Sequence, residues 1–86
     1  MTLLERFEDA QKRVKTLTKA PSNDTLLELY SLYKQGNAGD VEGKRPGMLD
    51  LKGRAKYDAW AGKKGLSTED AMKRYVAAVE KLEGKK

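Results

Sequence analysis

A group of tyrosine and lysine side chains lies in the stretch LLELYSLYKQ, residues 26–35, where the spacing could serve binding chemistry. Tyr30 and Tyr33 are three positions apart, and Lys34 follows at once. On a helix that turns by about 100° per residue, the leucine, tyrosine and lysine positions of this stretch cover an arc of about 220°. A helix that packs against a single core needs an apolar arc of only about 100°. The stretch is therefore predicted to be a helix that uses two faces.

The two faces of this predicted helix differ in character. Leu29 and Leu32 fall on one side and are predicted to pack in the core. Leu27, Tyr30 and Lys34 fall on the other side and form an amphipathic face. Taken singly, a tyrosine more often packs with its hydroxyl in water, and a lysine more often lays its stem along the surface. The second face alone therefore leaves two interpretations open, a solvated surface or a pocket wall.

Further lysines recur in LKGRAKYDAWAGKK, residues 51–64. Lys52 and Lys56 lie beside a narrow stripe of small and apolar residues, which makes them candidates for charges at the rim of a pocket. Lys63 is interpreted as a solvated surface residue, and Trp60 as a core anchor. Lysines beside tyrosines suit a ligand with phosphates and a flat base, because ammonium groups pair with phosphate oxygens and aromatic rings stack on bases.

Two single residues extend this set of candidates. Lys15 lies at the edge of the apolar stripe of the first predicted helix. Tyr75 lies at the centre of the apolar face of the last one, where a buried hydroxyl needs a hydrogen-bonding partner. A phosphate or ribose oxygen would satisfy that hydroxyl, and so would another side chain.

The elements that must position these side chains are four helices separated by proline- and glycine-bearing breaks. They are predicted to run from about Thr2 to Leu17, from a cap at Ser22 or Asn23 to about Gln35, from about Leu51 to Lys64, and from Ser67, which opens a capping-box-like STED sequence. The connection between the second and third helices is long enough that it is expected to cross the bundle. Because no strand pattern competes, the sequence predicts one all-α, four-helix domain over residues 1–86.

The composition narrows the range of functions. Eighteen basic and thirteen acidic residues give a net charge of +5, which favours an anionic partner. The chain has no cysteine and no histidine, and it has neither a phosphate-loop motif nor a carboxylate cluster. We therefore expect no catalytic site, no metal and no cofactor. No apolar run approaches the ~20 residues of a membrane span, and charge appears early at the N-terminus, so a cytoplasmic location is expected.

Three segments of the chain match the pattern of a known family: LYSLYKQGNAGD, RPGMLDLKGRAKYDAW and STEDAMKRYVAAVEKL. They closely resemble the acyl-CoA-binding protein family, and the resemblance extends from Phe7 to Leu82. It implies an up-down-down-up four-helix bundle that holds one long-chain acyl-CoA. The chain departs from the family at Leu32, where relatives often have histidine, at Tyr57, where many have tryptophan, and at Arg54, where lysine is usual.

The resemblance also implies which residues contact the ligand. By motif position they are Lys15, Tyr30, Ser31, Leu32, Tyr33, Lys34, Lys52, Lys56 and Tyr75. Lys56 is implied to meet the 3′-phosphate and Tyr75 to lie at the same site. The backbone around Ser31 and Leu32 is implied to line the pocket.

The function that follows from the resemblance is that of a non-catalytic, monomeric carrier. It would bind long-chain fatty acyl-CoA esters with high affinity, form an intracellular pool of them, contact acyl-CoA-using enzymes transiently and not insert stably into membranes. Two alternatives are a basic helical module that binds nucleic acid and a helical adaptor that binds a protein through an apolar groove. The first is disfavoured because no helix concentrates lysine and arginine as a recognition helix does.

Overall fold

The computed structural model describes residues 1–84, which form four α-helices. In chain order they are α1 (Leu3–Val14), α2 (Asn23–Ala38), α3 (Leu51–Ala61) and α4 (Thr68–Leu82). No strand occurs within residues 1–84. The predicted all-α, four-helix fold is confirmed.

Hydroxyl side chains fix where the helices begin. Thr2 and Glu5 form a full capping box at α1, in which each side chain bonds to the backbone N–H of the other residue. The hydroxyl of Ser22 accepts from the first turn of α2. Ser67 accepts from the N–H of Asp70 at 3.1 Å, as the STED sequence predicts. These bonds satisfy N–H groups that have no partner within the helix.

The predicted end of α1 at Leu17 is wrong, because the helix ends at Val14. The N–H of Thr16 bonds to the carbonyl of Arg13 at 3.0 Å, and the hydroxyl of Thr16 donates to the same carbonyl at 2.8 Å. Backbone bonds over three residues instead of four tighten the chain into a turn. The apolar periodicity continues past this point although the helix does not.

The predicted end of α3 at Lys64 is wrong for the same reason, since the helix ends at Ala61. The N–H of Lys63 bonds to the carbonyl of Trp60 at 2.9 Å, again over three residues. Gly65 then adopts a φ of 90°, which takes the chain out of the helical conformation.

The second helix is longer than predicted, ending at Ala38 instead of Gln35. Gly36 suggested a helix end, but it lies inside α2 at a point of close packing. A Cβ atom on Gly36 would lie 3.1 Å from Cζ of Phe7 and 3.2 Å from Cγ of Met72. The glycine therefore allows α1 and α4 to approach the backbone of α2.

Pairs of side chains show that α2 and α3 run in the same direction. The Nζ atom of Lys56 lies over the ring of Tyr30, and one turn further along both helices the Nζ atom of Lys34 lies over the ring of Trp60. When two consecutive helices are parallel, the chain must run back from the end of the first helix to the level of its start before the second helix can begin. The long connection, residues 39–50, makes this return, as expected from the sequence.

The helices α1 and α4 also run in the same direction. Phe7 packs edge-to-face on Tyr75 with ring centroids 5.2 Å apart, and further along both helices Arg13 forms an ion pair with Glu83. Phe7, near the start of α1, also meets Gly36, near the end of α2, so α2 runs the opposite way. The order is up-down-down-up, as predicted.

The hydrophobic core lies between α1, α2 and α4. Its buried residues are Phe7, Ala10, Leu29, Leu32, Tyr75, Val76 and Val79. The predicted core positions Leu29 and Leu32 are confirmed, with 5% and 3% of their surface exposed. No residue of α3 is buried, so this helix is held outside the core.

Two interpretations of side chains around α3 are wrong. Trp60 is half-buried and lies outside the core cluster, because its indole N–H donates to the carbonyl of Gly39 at 2.8 Å. Lys63 is not simply solvated, since its ammonium group forms an ion pair with Glu28 of α2. Polar partners therefore decide the positions of both side chains.

Candidate functional site

Two neighbouring cavities lie on either side of one edge of α2. The first, the α2–α3 cavity, has a volume of about 460 Å³ and is lined by Asn23, Leu26, Leu27, Tyr30, Leu51, Lys52, Ala55 and Lys56. The second, the tyrosine cavity, has a volume of about 320 Å³ and is lined by Val14, Lys15, Pro21, Leu26, Leu29, Tyr30, Tyr33 and Tyr75. Leu26 and Tyr30 line both cavities, which we together call the groove.

The α2–α3 cavity combines an apolar floor with cationic groups at its edge. Leu26, Leu27 and Ala55 supply aliphatic surface, while Lys52 and Lys56 are exposed one helical turn apart. The Nζ atom of Lys56 lies 5.3 Å from the centroid of the Tyr30 ring, whose electron-rich face attracts it. An amphiphile with an apolar chain and an anionic head matches these surfaces.

The tyrosine cavity has a neutral phenol in its wall. Tyr75 is 5% exposed and packs against Phe7 in the core. Burial, with a smaller contribution from Tyr33, raises the pKa of the Tyr75 hydroxyl above its ordinary value of 10.0. Tyr75 therefore keeps its proton near neutral pH and can donate a hydrogen bond to an anion, while exposed Lys15 supplies positive charge to the same cavity.

Lys34 has a different position from the other predicted ligand contacts. Its Nζ atom lies 4.8 Å from the centroid of the Trp60 ring, and it lines neither cavity. Lys34 is one turn from Tyr30 on the same side of α2, so its stem starts beside the groove. The structure thus places Lys34 next to the groove and turns its charge towards α3.

Ser31 and Leu32 have side chains that point away from the groove. Ser31 is fully buried, and its hydroxyl donates to the carbonyl of Glu28 at 2.7 Å. Leu32 belongs to the core cluster. A ligand in the groove could meet these two residues only through their backbone, which is the role that the sequence resemblance implies and which stays a prediction.

The match to known proteins agrees with this geometry. The family model described as "Acyl CoA binding protein" matches residues 4–79. The chain belongs to the acyl-CoA-binding protein family. It is 59% identical over 76 residues to acyl-CoA-binding protein homolog 1 of Caenorhabditis elegans, which covers 88% of each chain. It is 55% identical over 83 residues to the acyl-CoA-binding protein homolog of Manduca sexta, covering 95% of this chain and 92% of the relative.

A solved structure of the same family has the same fold. The chain superposes on the crystal structure of Oryza sativa acyl-CoA-binding protein 2 with a TM-score of 0.92 and 43% identity, covering 96% of this chain and 92% of the rice chain. The fold therefore agrees with the family that the sequence matches.

The apolar wall of the groove was not predicted from the sequence. Leu26 lines both cavities, Leu51 lines the α2–α3 cavity, and Val14 lines the tyrosine cavity. A signal was present for Leu26, since its angle on α2 lies between the core leucines and Tyr30. A leucine at the border between two faces of a helix can contact what packs against either face. Leu51 and Val14 belong to apolar stripes in the sequence, but the cavity that each residue lines depends on the neighbouring helices.

Residues 1–84 contain neither a metal-binding cluster nor a membrane-spanning helix. No cluster of three or more acidic, histidine or cysteine side chains there could hold a metal ion. None of the helices in this part of the chain has the length and the apolar character that crossing a bilayer requires.

Proposed function

We propose that this chain binds long-chain fatty acyl-CoA esters with high affinity and acts as their intracellular carrier and pool former. The observation that carries the proposal is the groove, in which aliphatic floor, tyrosine rings and lysines adjoin along α2. The names of its relatives, which are acyl-CoA-binding proteins, support the same ligand. Neither the nucleic-acid alternative nor the adaptor alternative has a comparable observation in its favour.

The nucleotide end of the ligand would use the charged and phenolic groups. A phosphomonoester carries a charge of roughly −1.5 to −2 near neutral pH, which one lysine cannot balance. Lys56 at the rim and Lys34 beside it would divide this charge, and the hydroxyls of Tyr30 and Tyr75 would donate hydrogen bonds. Lys34 must leave the ring of Trp60 to take part, so ligand binding competes with that contact.

The acyl chain would supply a large part of the binding free energy. Each methylene removed from water contributes about 0.8 kcal/mol, so about ten methylenes rival several hydrogen bonds to charged groups at about 1.5–3 kcal/mol each. The leucine floor of the α2–α3 cavity is the surface that would cover the chain. The prediction is that affinity rises with chain length and that free CoA binds far more weakly.

Isothermal titration calorimetry with CoA, octanoyl-CoA and palmitoyl-CoA tests this proposal directly. We expect affinity to increase in that order, together with an increasingly negative heat-capacity change as more apolar surface is buried. Equal affinities for CoA and palmitoyl-CoA would show that the groove does not hold the acyl chain.

The role of Lys56 is tested by Lys56→Ala, with exposed Lys73 of α4 replaced in the same way as a control. We expect Lys56→Ala to weaken each of the three ligands by about tenfold, since it removes a contact with the shared phosphate group. Lys73→Ala keeps the same change of net charge without touching the groove, and should leave the affinities unaltered. A loss confined to palmitoyl-CoA would contradict the phosphate role.

The remaining features of the proposal follow from a carrier function. A carrier would deliver its ligand chemically unchanged, and we expect this one to do so as a monomer in the cytoplasm. Transfer would occur through transient contacts with enzymes that make or consume acyl-CoA. No cofactor is required.

A further inference from the structure

An apolar tip protrudes where the long connection meets α3. Met48, Leu49 and Leu51 are 77%, 99% and 74% exposed. Large side chains this exposed and this close together form a patch that needs an explanation, whereas single exposed leucines do not. We call Met48, Leu49 and Leu51 the apolar tip.

The tip is held by a hydrogen-bonded turn. The N–H of Asp50 bonds to the carbonyl of Gly47 at 3.0 Å, and the Asp50 carboxylate accepts from the N–H of Gly53 at 2.9 Å. Arg54 reaches back to the carbonyl of Pro46 at 2.9 Å. Because the backbone on both sides is tied down, Leu49 is presented outward by the fold.

The charged groups around the tip favour an anionic partner. Lys44 and Lys52 are exposed on either side of it in the sequence. The nearest carboxylates already have partners within the protein, since Asp50 caps α3 and Asp58 pairs with Arg45. The other acidic residues and cations of this region are Glu42, Arg54 and Lys56. From residue 42 to residue 58, five basic and three acidic side chains leave a net charge of +2.

The tip also adjoins the groove. Leu51 and Lys52 line the α2–α3 cavity, so the exposed apolar surface continues from Leu49 through Leu51 to the leucine floor. Leu26, on the opposite wall, is 47% exposed. The opening of the cavity and the tip therefore lie at the same end of the molecule.

We infer that the apolar tip docks reversibly on an anionic phospholipid bilayer, with Met48 and Leu49 entering the interface and Lys44 and Lys52 meeting the headgroups. A fluid interface accepts protruding aliphatic groups of any shape, and basic residues beside them add attraction to anionic lipid. A protein partner would instead need a pocket that matches the protrusion. Docking would bring the opening of the cavity to the surface in which amphiphiles partition.

Flotation with unilamellar vesicles tests the inference on the ligand-free protein, so its outcome does not depend on acyl-CoA binding. The vesicles are pure phosphatidylcholine, or phosphatidylcholine with 30% phosphatidylserine. We expect the wild type to float with the anionic vesicles and much less with the neutral ones. Met48→Gln/Leu49→Gln should reduce the partition coefficient by roughly tenfold or more, because it removes the apolar contacts.

Matched variants distinguish docking through the apolar tip from nonspecific adsorption to the vesicles. Leu4 is an exposed leucine near the start of α1, at the other end of the bundle, and Leu4→Gln should float like the wild type. Lys44→Gln should weaken binding to anionic vesicles by about fivefold, whereas Lys73→Gln should weaken it less, since Lys73 lies on α4. All four variants change exposed positions, so unchanged melting temperatures are expected.

Two outcomes would overturn the inference. One is that the wild type fails to float with either vesicle composition, which would leave the tip to a protein partner. The other is flotation that Met48→Gln/Leu49→Gln does not reduce, which would place the contact elsewhere. NMR spectra recorded with spin-labelled lipid in the anionic vesicles locate the contact. We expect the amide signals of residues 47–52 to broaden first, because these residues would lie nearest the label.

Discussion

The two halves of this molecule are stabilised by different kinds of interaction. Helices α1, α2 and α4 share a core of buried apolar side chains. The other half, residues 39–65, consists of the long connection and α3, and we call it the outer layer. No residue of α3 is buried. The α2–α3 cavity lies along the boundary between them, so one of its walls belongs to α2 and the other to the outer layer.

Side chains of α3 tie the connection back onto the helix. The hydrogen-bonded pairs are Trp60 with Gly39, Tyr57 with Gly43, Asp58 with Arg45, and Arg54 with Pro46. Each pair contributes modestly because it is at or near the surface. The outer layer therefore has its own polar framework and depends on α2 for attachment to the core.

One buried amide joins the two halves. Gln35 of α2 is fully buried, and its Nε2 donates to the carbonyl of Leu66 and to Asp40, both at 2.8 Å. The N–H of Gly65 donates to the same Asp40 oxygen at 2.9 Å. The two ends of the outer layer therefore meet at a single carboxylate.

Phe7→Ala should have the largest effect on the stability of the protein. Phe7 is 2% exposed and contacts both Tyr33 and Tyr75, so its removal leaves a cavity between α1, α2 and α4. We expect a loss of about 3–5 kcal/mol in the free energy of unfolding, measured by urea denaturation. Leu4→Ala, at an exposed position of the same helix, should change it by less than about 0.5 kcal/mol. Similar losses for the two variants would show that the core does not dominate stability.

Gln35→Leu should have a smaller and more local effect. It keeps the apolar stem but removes the bonds to Asp40 and Leu66, at a cost of about 1–3 kcal/mol. Hydrogen exchange should speed up for amides of residues 51–61 before those of α1 and α4, because the outer layer loses its attachment. Asn37→Leu, at an exposed site of α2, is the control. Uniformly faster exchange would mean that the two halves unfold as one unit.

Lowering the pH should destabilise the outer layer before it affects the core. The Gly65 N–H and then the Gln35 amide lower the pKa of Asp40 below its ordinary value of 3.8. The stabilisation is therefore complete above the unfolded-state pKa near 3.8 and is lost as pH falls through the lower, folded-state value. Protection factors for the Trp60 indole N–H, which bonds to Gly39, should fall in this range.

Single variants separate the effect of Asp40 from that of Asp58, because a hydrogen bond from Arg45 lowers the pKa of Asp58 as well. Asp40→Asn should lower the protection of the Trp60 indole at neutral pH and reduce its dependence on acid. Asp58→Asn should affect mainly the region around Arg45. Glu42→Gln, an exposed change in the connection, should leave the indole signal unaltered. If Asp58→Asn alone removed the acid response, Asp40 would not be the joining group.

The sequence predicted those parts of the fold that depend on local pattern. Periodicity placed four helices and the core leucines of α2, and the serine and threonine caps needed only neighbouring residues. Trp60 was misplaced because its size suggested burial, whereas the position of its N–H was decided by Gly39, far away in the chain. The same holds for Lys63 and Glu28, whose pairing requires knowledge of how α3 lies on α2.

The groove was predictable to the extent that residue type indicates chemistry. The tyrosines and the lysines at positions 15, 52 and 56 line it as a ligand site requires. The Lys34 ammonium group lies over the ring of Trp60. Sequence spacing alone cannot tell whether this group faces the groove or the aromatic ring. The apolar wall at Leu51 and Val14 arises from contact between helices, so no single helix pattern contains it.

The parallel course of α2 and α3 also orients the electric field of the molecule. Asn23 and Leu51 are the first residues of these helices, and both line the α2–α3 cavity. Each helix start carries roughly half a positive charge from its aligned peptide dipoles, which the Asp50 cap offsets in part at α3. An antiparallel pair would have cancelled these contributions. Here they add beside the α2–α3 cavity, so an approaching anion is drawn to the same end from both helices.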